Sequence, residues 1–556
     1  MAYQRMPSSS PQRVSLGGSG HAFGGSSTST GSVSMSSVLR VMGVAIVALA
    51  LVSLSLQGYG LLNARERHAV VTVESAPRGS AAPPVMLRTT PDETTPIVTM
   101  EHKIQDVDED TEENCYDERD WGLIARIKES ARVFCGDLPP DQRATPTAAK
   151  VTLFKEPHGI FQATVYDRLV LDLRGAQVFK PIRSIAQDGG RHDPRFKFLP
   201  TIVQCECEAL HQFAVDEVTQ HNRTLQLWHS AWGNMSTKTD PPSTVCAVGG
   251  PAGTPMTGVH TEIKEKTLLI VRKDDHNPFF QVSSALNAWL LLKVLNWDVN
   301  EDDVRVIHLD GGYPSPIDEL HRRLLSPKMP LLNAGQEYTD RRLEFTNGVA
   351  LVPFETTGPM MQHLNDDEPC GASELFVEFR KDALGVMDLP PLPAKRTQVT
   401  ITVITRRNYG GRRVQRTWRN EKDILDQMRE LYRTARDSVT PIVIQSVDFV
   451  TLSLREQMWI MLNSDVVIGM HGAGMVNVLW TRPGTLVVEI FPKRRKRWGY
   501  RNLCQHLGCN WKQFRGGKDT GRGDNNSHKL IPWDEWHAFF GPLFQETLQR
   551  VAEETQ

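Results

Sequence analysis

From about residue 265 onward, short apolar runs alternate with stretches whose apolar residues recur at helical spacing. The run TLLIV at 267–271 has the length and branched content of a buried strand. Residues 282–295 then repeat apolar side chains every three or four positions, which predicts a helix. VRVIHL at 304–309 predicts a second strand, closed by the turn residues Asp310, Gly311 and Gly312. A helix over 317–325 and a strand over 349–352 follow. The proline-rich stretch DLPPLPA at 388–394 interrupts this rhythm. It restarts with strands at 399–404, 441–444, 466–468 and 485–490, and helices at 421–434, 454–463 and from 473 to 479. Such alternation predicts an α/β protein with parallel sheets covered by helices. Two runs joined by a proline connector predict two Rossmann-like domains, over 115–387 and 388–556. Ligands of such folds sit at the carboxyl ends of the strands. The pattern from 121 to 264 is less regular and is grouped with the first domain.

Upstream, the pattern changes character. VMGVAIVALALVSLSL at 41–56 holds no charge, and the uncharged run extends to residue 62. A helix over 41–62 is long enough for a bilayer core of about 30 Å. Arg5, Arg13 and Arg40 precede it and no acidic residue does, which places the N-terminus in the cytosol. The expectation is a single-pass type II signal anchor with the rest luminal. The alternative is a cleaved signal peptide with a long leading region. Residues 1–40, rich in Ser and Gly, read as a disordered cytosolic tail. Residues 63–114, with Pro, Thr and Ala and then an acidic run at 106–113, read as a luminal stem.

Composition adds bounds. The chain has 556 residues, with 63 Lys and Arg against 65 Asp and Glu. That balance excludes a dedicated nucleic-acid coat, which needs a strong basic excess. A mean hydropathy of −0.34 excludes a multi-spanning membrane protein but not one span. Eight Cys exclude a disulfide-dense mini-fold. In an oxidising lumen they can pair, but their connectivity is not legible. Cys205 and Cys207 lack a matching second pair, so a zinc site is not expected. Cys504 and Cys509 are either bridged or buried. Sequons at Asn222, Asn234 and Asn525 agree with a luminal location.

Chemistry concentrates at DVVIGMHGAGMVNVLWTRPGTLVVEIFP, residues 465–492. A buried strand leads into the tight loop His471, Gly472, Ala473 and Gly474, and a helix follows. Glycines admit a ligand close to the backbone. Free amides at the helix start favour an anion such as a diphosphate. His471 is placed to donate a hydrogen bond there, and Glu489 to accept from ribose hydroxyls. Upstream lie Arg406, Arg407, Arg412, Arg413, Arg416 and Arg419. Guanidinium groups at a strand end bind diphosphate oxygens bidentately. Arg407 and Arg416 are the candidates. The basic run KRRKR at 493–497 reads as a solvated loop or a rim around an anionic donor.

The whole string resembles the signature of family 61 glycosyltransferases, which include plant-type N-glycan β-1,2-xylosyltransferases and extracellular O-GlcNAc transferases. The resemblance rests on LREQ at 454–457, Asp465, IGMHGAG at 468–474, Asn477, Pro483, Gly484 and EIFP at 489–492. It extends to TRR at 405–407 and RTWRNE at 416–421, and to 272–290 and 304–325, which look most like the xylosyltransferase branch. Where the family usually has a His and then an acid, this chain has Phe280 and Ser284. Asp275 and His276 are the nearest ionisable candidates for the base that takes the acceptor proton.

The resemblance implies a glycosyltransferase-B fold and inverting transfer from a UDP-sugar, UDP-xylose or UDP-GlcNAc. Arg407, Arg416, His471, Gly472, Ala473, Gly474, Asn477 and Glu489 would bind the donor, and the first domain a glycan or glycoprotein acceptor. No metal ligand set and no strictly required cofactor are expected, since positive protein groups can stabilise the leaving diphosphate. The expected reading is a Golgi β-1,2-xylosyltransferase acting on N-glycans. The alternatives are a secretory protein O-GlcNAc transferase or a non-catalytic glycan-binding scaffold.

Overall fold

The computed structural model describes residues 116–555 apart from 118, 137–148, 176, 179–195, 198–202, 206, 208, 211, 214–258, 273–276, 311–314, 339, 363–370, 394–396, 409–412, 435–440 and 522. The predicted tail, anchor and stem, the sequons at Asn222 and Asn234, and the candidates Asp275 and His276 lie outside the described residues. Residues 102–556 form one compact unit.

The first half opens with helix α1 (Trp121–Glu129) and strands β1 (Ala131–Phe134), β2 (Val151–Lys155), β3 (Gln162–Tyr166), β4 (Leu169–Asp172) and β5 (Val203–Gln204). Then come β6 (Val259–Ile263), β7 (Lys266–Ile270), helix α2 (Pro278–Leu295) and β8 (Val304–His308). A short helical stretch, Asp318–Leu320 continuing as a wider turn through His321–Leu325, leads to β9 (Leu332–Asn333), β10 (Arg341–Phe345), β11 (Val349–Leu351) and α3 (Glu374–Gly385). A seven-stranded sheet runs in the order β1-β2-β3-β11-β7-β8-β9. Its β11, β7, β8 and β9 are parallel, while β1, β2 and β3 extend it antiparallel. A second sheet runs β5-β4-β10-β6. The parallel core matches the predicted strand–helix alternation. The antiparallel extension comes from the less regular 121–264 region and departs from a simple Rossmann-like sheet.

The second half holds β12 (Val399–Ile404), α4 (Glu421–Thr434), β13 (Ile442–Val447), α5 (Leu454–Leu462), β14 (Val466–Met470) and a tight 3-10 helix, Ala473–Trp480. It continues with β15 (Leu486–Ile490), α6 (Gly499–His506), β16 (Asn510–Phe514), the hairpin β17 (Lys518–Thr520) and β18 (His528–Leu530), and α7 (Trp533–Thr555). The sheet β13-β12-β14-β15-β16 is parallel throughout. All six residues of β12 and all five of β14 and β15 are buried, so these strands read as continuous apolar runs. Chain order reverses at β12: β13 lies on one side of it and β14 on the other. In open parallel sheets, the carboxyl ends at such a reversal form the ligand crevice.

α2 shows why a long apolar helix forms here. Asn277 caps it by accepting from the Phe279 amide, Pro278 occupies its first turn, and Asn296 ends it in the left-handed region at φ 52°. Among the described residues it is the one helix long and apolar enough to cross a membrane, yet 78% of it is buried inside the protein. It is a core helix, apolar on every side because neighbours cover every side. One hydrophobic cluster joins α1, α2 and α3 to Val476, Leu479 and Trp480 of the second half. Trp289 packs edge-on against Phe379 at 5.6 Å, and Phe379 lies 6.5 Å from Trp480. The two halves therefore share an apolar core beneath the carboxyl edges of their sheets.

Candidate functional site

β14 and β15 run side by side, pairing Met470 with Ile490. The chain leaves β14 at His471, whose amide donates to the Ile490 carbonyl at 2.8 Å. The His471 Nδ1 lies 2.6 Å from Glu489 Oε1, and the Trp511 indole donates to Glu489 Oε2 at 3.0 Å. Glu489 is 1% exposed, so its carboxylate is spent inside the protein. A carboxylate at Nδ1 fixes the proton there and leaves Nε2 as the open nitrogen of the neutral ring. The ring stacks on Phe491 at 4.9 Å and meets Tyr500 at 5.8 Å. Burial lowers the proton affinity of His471, Glu489 opposes this, and Arg495 and Arg416 add to the lowering.

Gly472 is required by a close approach. A Cβ there would lie 1.8 Å from Arg406 Nη1. The Arg406 guanidinium therefore rests against the loop. The Met475 amide closes back on the Gly472 carbonyl at 2.9 Å. The amides of Ala473 and Gly474 come before the Met475 donor that opens the 3-10 helix, so the helix itself gives them no acceptor. Asn477 is buried and donates to the Gly474 carbonyl at 3.1 Å, which holds this end of the helix.

Arg416 sits at φ 56° and donates through Nε to the His471 carbonyl at 2.9 Å and through Nη1 to Asn526 at 2.6 Å. It braces the loop from behind. Arg407 is exposed on the rim. It acts on Glu421, which accepts from Thr405 at 3.0 Å and Ser446 at 2.8 Å. Burial raises the Glu421 pKa, and the two hydroxyl bonds and Arg407 oppose the rise.

The structure thus brings Arg416, His471, Gly472, Ala473, Gly474, Asn477 and Glu489 together at the sheet reversal. Arg407 stands beside them, and Arg406 takes the place against the loop that sequence reasoning gave to Arg407. Because β12 is buried on both faces, alternation of polar and apolar residues gave no sign of which arginine turns inward.

At the carboxyl ends of β7 and β8 lies a second cluster. Arg272 is 1% exposed and grips Asp310 through Nε at 2.6 Å and Nη2 at 3.0 Å. Its Nη1 donates to Asp318 at 3.0 Å, and Asn333 adds a bond to Asp310 at 2.6 Å. His308 Nε2 and His321 Nδ1 lie 3.0 Å apart. Burial and Arg272 hold both rings neutral, lowering His308 well below its usual range and His321 to about 3. Burial raises the Asp318 pKa, with Arg272 opposing. His308, Asp318 and His321 are spaced to hold a cation, but Arg272 already occupies Asp318 and brings a positive charge to that position. At the amino end of α2, Phe279 meets Tyr500 edge-on at 5.7 Å, which ties this side to the His471 ring. Phe280 packs against the shared core.

Disulfide pairing becomes legible here: Cys207 bonds to Cys135, 72 residues away. Cys504 and Cys509 are free thiols.

A parallel sheet whose strand order reverses beside a glycine loop and arginines defines an α/β protein with a candidate anion site at its switch point. Residues 308–488 match the model of the glycosyltransferase 61 family. Over 208 residues the chain is 26% identical to a Xenopus laevis protein named EGF domain-specific O-linked N-acetylglucosamine transferase. The shared stretch covers 36% of this chain and 34% of that relative, about a third of each.

Proposed function

We propose that the chain transfers a sugar, with inversion, from a nucleoside diphosphate sugar to a glycan or glycoprotein. The observation that carries this reading is the His471 loop, where open amides, Arg406 and a tautomer-fixed imidazole converge at the sheet reversal. The acceptor oxygen would attack the anomeric carbon as the bond to the diphosphate breaks. The acceptor proton would pass to a base on the first half. Asp318, with its raised proton affinity, is the described candidate beside Asp275 and His276. The leaving diphosphate would meet Arg406, the loop amides and His471, with Arg416 bracing the loop. These positive groups support transfer without an obligatory metal.

With Nδ1 tied to Glu489, the neutral His471 ring has only an acceptor to offer. It donates to a diphosphate oxygen only after taking up a proton on Nε2, and Glu489 would stabilise that cation. Donor binding should therefore take up close to one proton near neutral pH. Calorimetry in buffers of different ionisation enthalpy measures this, and binding without proton uptake would refute the role of His471.

The name of the Xenopus laevis relative favours GlcNAc as the donor sugar and EGF domains as the acceptor. Resemblance of 272–290 and 304–325 to the xylosyltransferase branch favours xylose and N-glycans. The Cys135–Cys207 disulfide supports an oxidising compartment, in keeping with a Golgi enzyme of type II topology. Full-length protein in membranes, given UDP-GlcNAc or UDP-xylose with EGF domains or N-glycans, separates the two readings. Absence of turnover with every donor, in protein that is folded, would leave only the non-catalytic scaffold.

A further inference from the structure

At the opposite edge of the first-half sheet, two turns lie side by side. One joins β3 to β4 through Asp167 and Arg168, the other joins β10 to β11 through Thr346, Asn347 and Gly348. The Gly348 amide donates to the Asp167 carbonyl at 3.0 Å, and the Thr267 amide to the Gly348 carbonyl at 3.0 Å. Together with Lys266 and Trp297 they line a cavity of about 600 Å³. That is within the size range of small-ligand sites, roughly 300–1,000 Å³.

The recess is built. The left-handed cap at Asn296 turns the chain out of α2, and the Trp297 amide bonds back to the Leu292 carbonyl at 3.0 Å. Gly348 has φ +85°, and a Cβ there would lie 3.3 Å from Trp297 Cζ2, so glycine leaves the indole its place. Lys266 Nζ lies 5.8 Å from the indole centroid and 2.7 Å from Asp302. Arg168 faces Glu344 at 3.9 Å, and Asp167 accepts from the Lys150 amide at 2.7 Å.

These charges select the ligand. The lining charges are mixed: an anion would meet Asp167, a cation would meet Lys266 and Arg168, and these two are already paired with Asp302 and Glu344. A neutral molecule with many hydroxyls meets an aromatic ring for its C–H face and donors and acceptors around it. We propose that this recess binds a neutral sugar residue of a glycan. It is a different place from the proposed reaction site. Lys266 opens β7 and Arg272 follows its end, so about 20 Å of extended chain separates the two. Its use in holding a glycoprotein away from the reacting sugar rests on the transferase reading, but the binding itself does not.

The test uses full-length protein and three neutral probes, chitobiose, N-acetyllactosamine and mannotriose, with a heparin tetrasaccharide as the anionic control. Saturation-transfer NMR and calorimetry report binding, and nucleotide-sugar hydrolysis is followed in parallel. Trp297→Ala should weaken a neutral probe at least tenfold and leave hydrolysis unchanged. The exposed Asn347→Ala, milder for folding, should weaken it several-fold. Two results would overturn the proposal: neutral-probe binding untouched by both substitutions, or equal Trp297-dependent binding of the heparin fragment. Loss of turnover with Trp297-dependent glycan binding intact would sink the transferase reading and support this one.

Discussion

The two carboxyl edges are built on opposite plans. At the end of β7 and β8 the ionic groups are closed on themselves: Arg272 is held by Asp310 and Asp318 and the two imidazoles face each other, with the buried His321 Nε2 left without a hydrogen-bond partner. At the end of β14 and β15, the bonds stop one atom short. Glu489 is satisfied, yet the ring it holds keeps Nε2 open, and the loop amides beyond have no helical acceptor. A closed cluster contributes stiffness, and an open one is prepared for a ligand. The difference predicts where substitutions register most: Arg272 and its buried partners mainly in stability, the His471 loop in turnover as well as stability.

The largest effect is expected from Arg272→Ala. It strands Asp310 in a site with no exposure and removes a partner of Asp318. Breaking one side of a buried ion pair costs about 3–5 kcal/mol. Denaturant unfolding checks this. A loss below about 1 kcal/mol would show that the first edge is not the closed structure described. On the second edge, His471→Ala removes one of the two partners of the buried Glu489 carboxylate and should cost about 1–3 kcal/mol, less than Arg272→Ala. It should lower turnover by roughly 10²–10³, the typical consequence of deleting one donor to developing negative charge. A variant that unfolds early but turns over normally would invert the comparison.

Acid bears on both edges, since burial also lowers the proton affinity of His471, and more strongly on the first. His308 and His321 have folded pKa values below the unfolded value of 6.5, that of His321 at about 3. The unfolded chain therefore binds protons that the folded chain refuses. Their contribution to stability is intact above about pH 6.5 and is lost progressively as pH falls toward the folded values. Each such group adds a slope of about 1.4 kcal/mol per pH unit. His321→Asn should flatten the stability curve between about pH 6 and 4 by close to that amount. An unchanged slope would mean that the imidazole pair already carries a proton.

Much of the second sheet was legible, and the reason is burial. β12 spans 399–404 and α4 spans 421–434 as the pattern predicted, because one is covered on both faces and the other has a single apolar stripe. The region 121–264 resisted because its strands are two to five residues long and β1 is largely exposed. The glycine loop was visible as a contiguous string. The Arg272 cluster was not. Its partners lie 38 and 46 residues away and meet only because β7 pairs with β8, Ile270 against His308. Glu489 showed the limit of motif reasoning. Its place near a strand end suggested a sugar contact, but the cross-strand neighbour Trp511, which closes its second oxygen, could be seen only once β15 and β16 were paired.

That indole gives the smallest and most discriminating change. Trp511→Phe keeps an aromatic ring beside Phe491 and Trp498 and deletes only the donor to Glu489 Oε2. Losing one hydrogen bond to a charged group costs about 1.5–3 kcal/mol in general. Here less than that is expected, because Glu489 keeps its bond to His471 and turns more of its charge toward that ring. The proton affinity of His471, now lowered by burial, should then rise toward the ordinary imidazole value. If proton uptake on Nε2 is needed for the leaving diphosphate, the alkaline limb of the turnover profile should move to higher pH by a fraction of a unit. Stability should fall only slightly. A shift in the acid direction, or no shift with wild-type turnover, would show that Glu489 and Trp511 support the fold and do not set the state of His471.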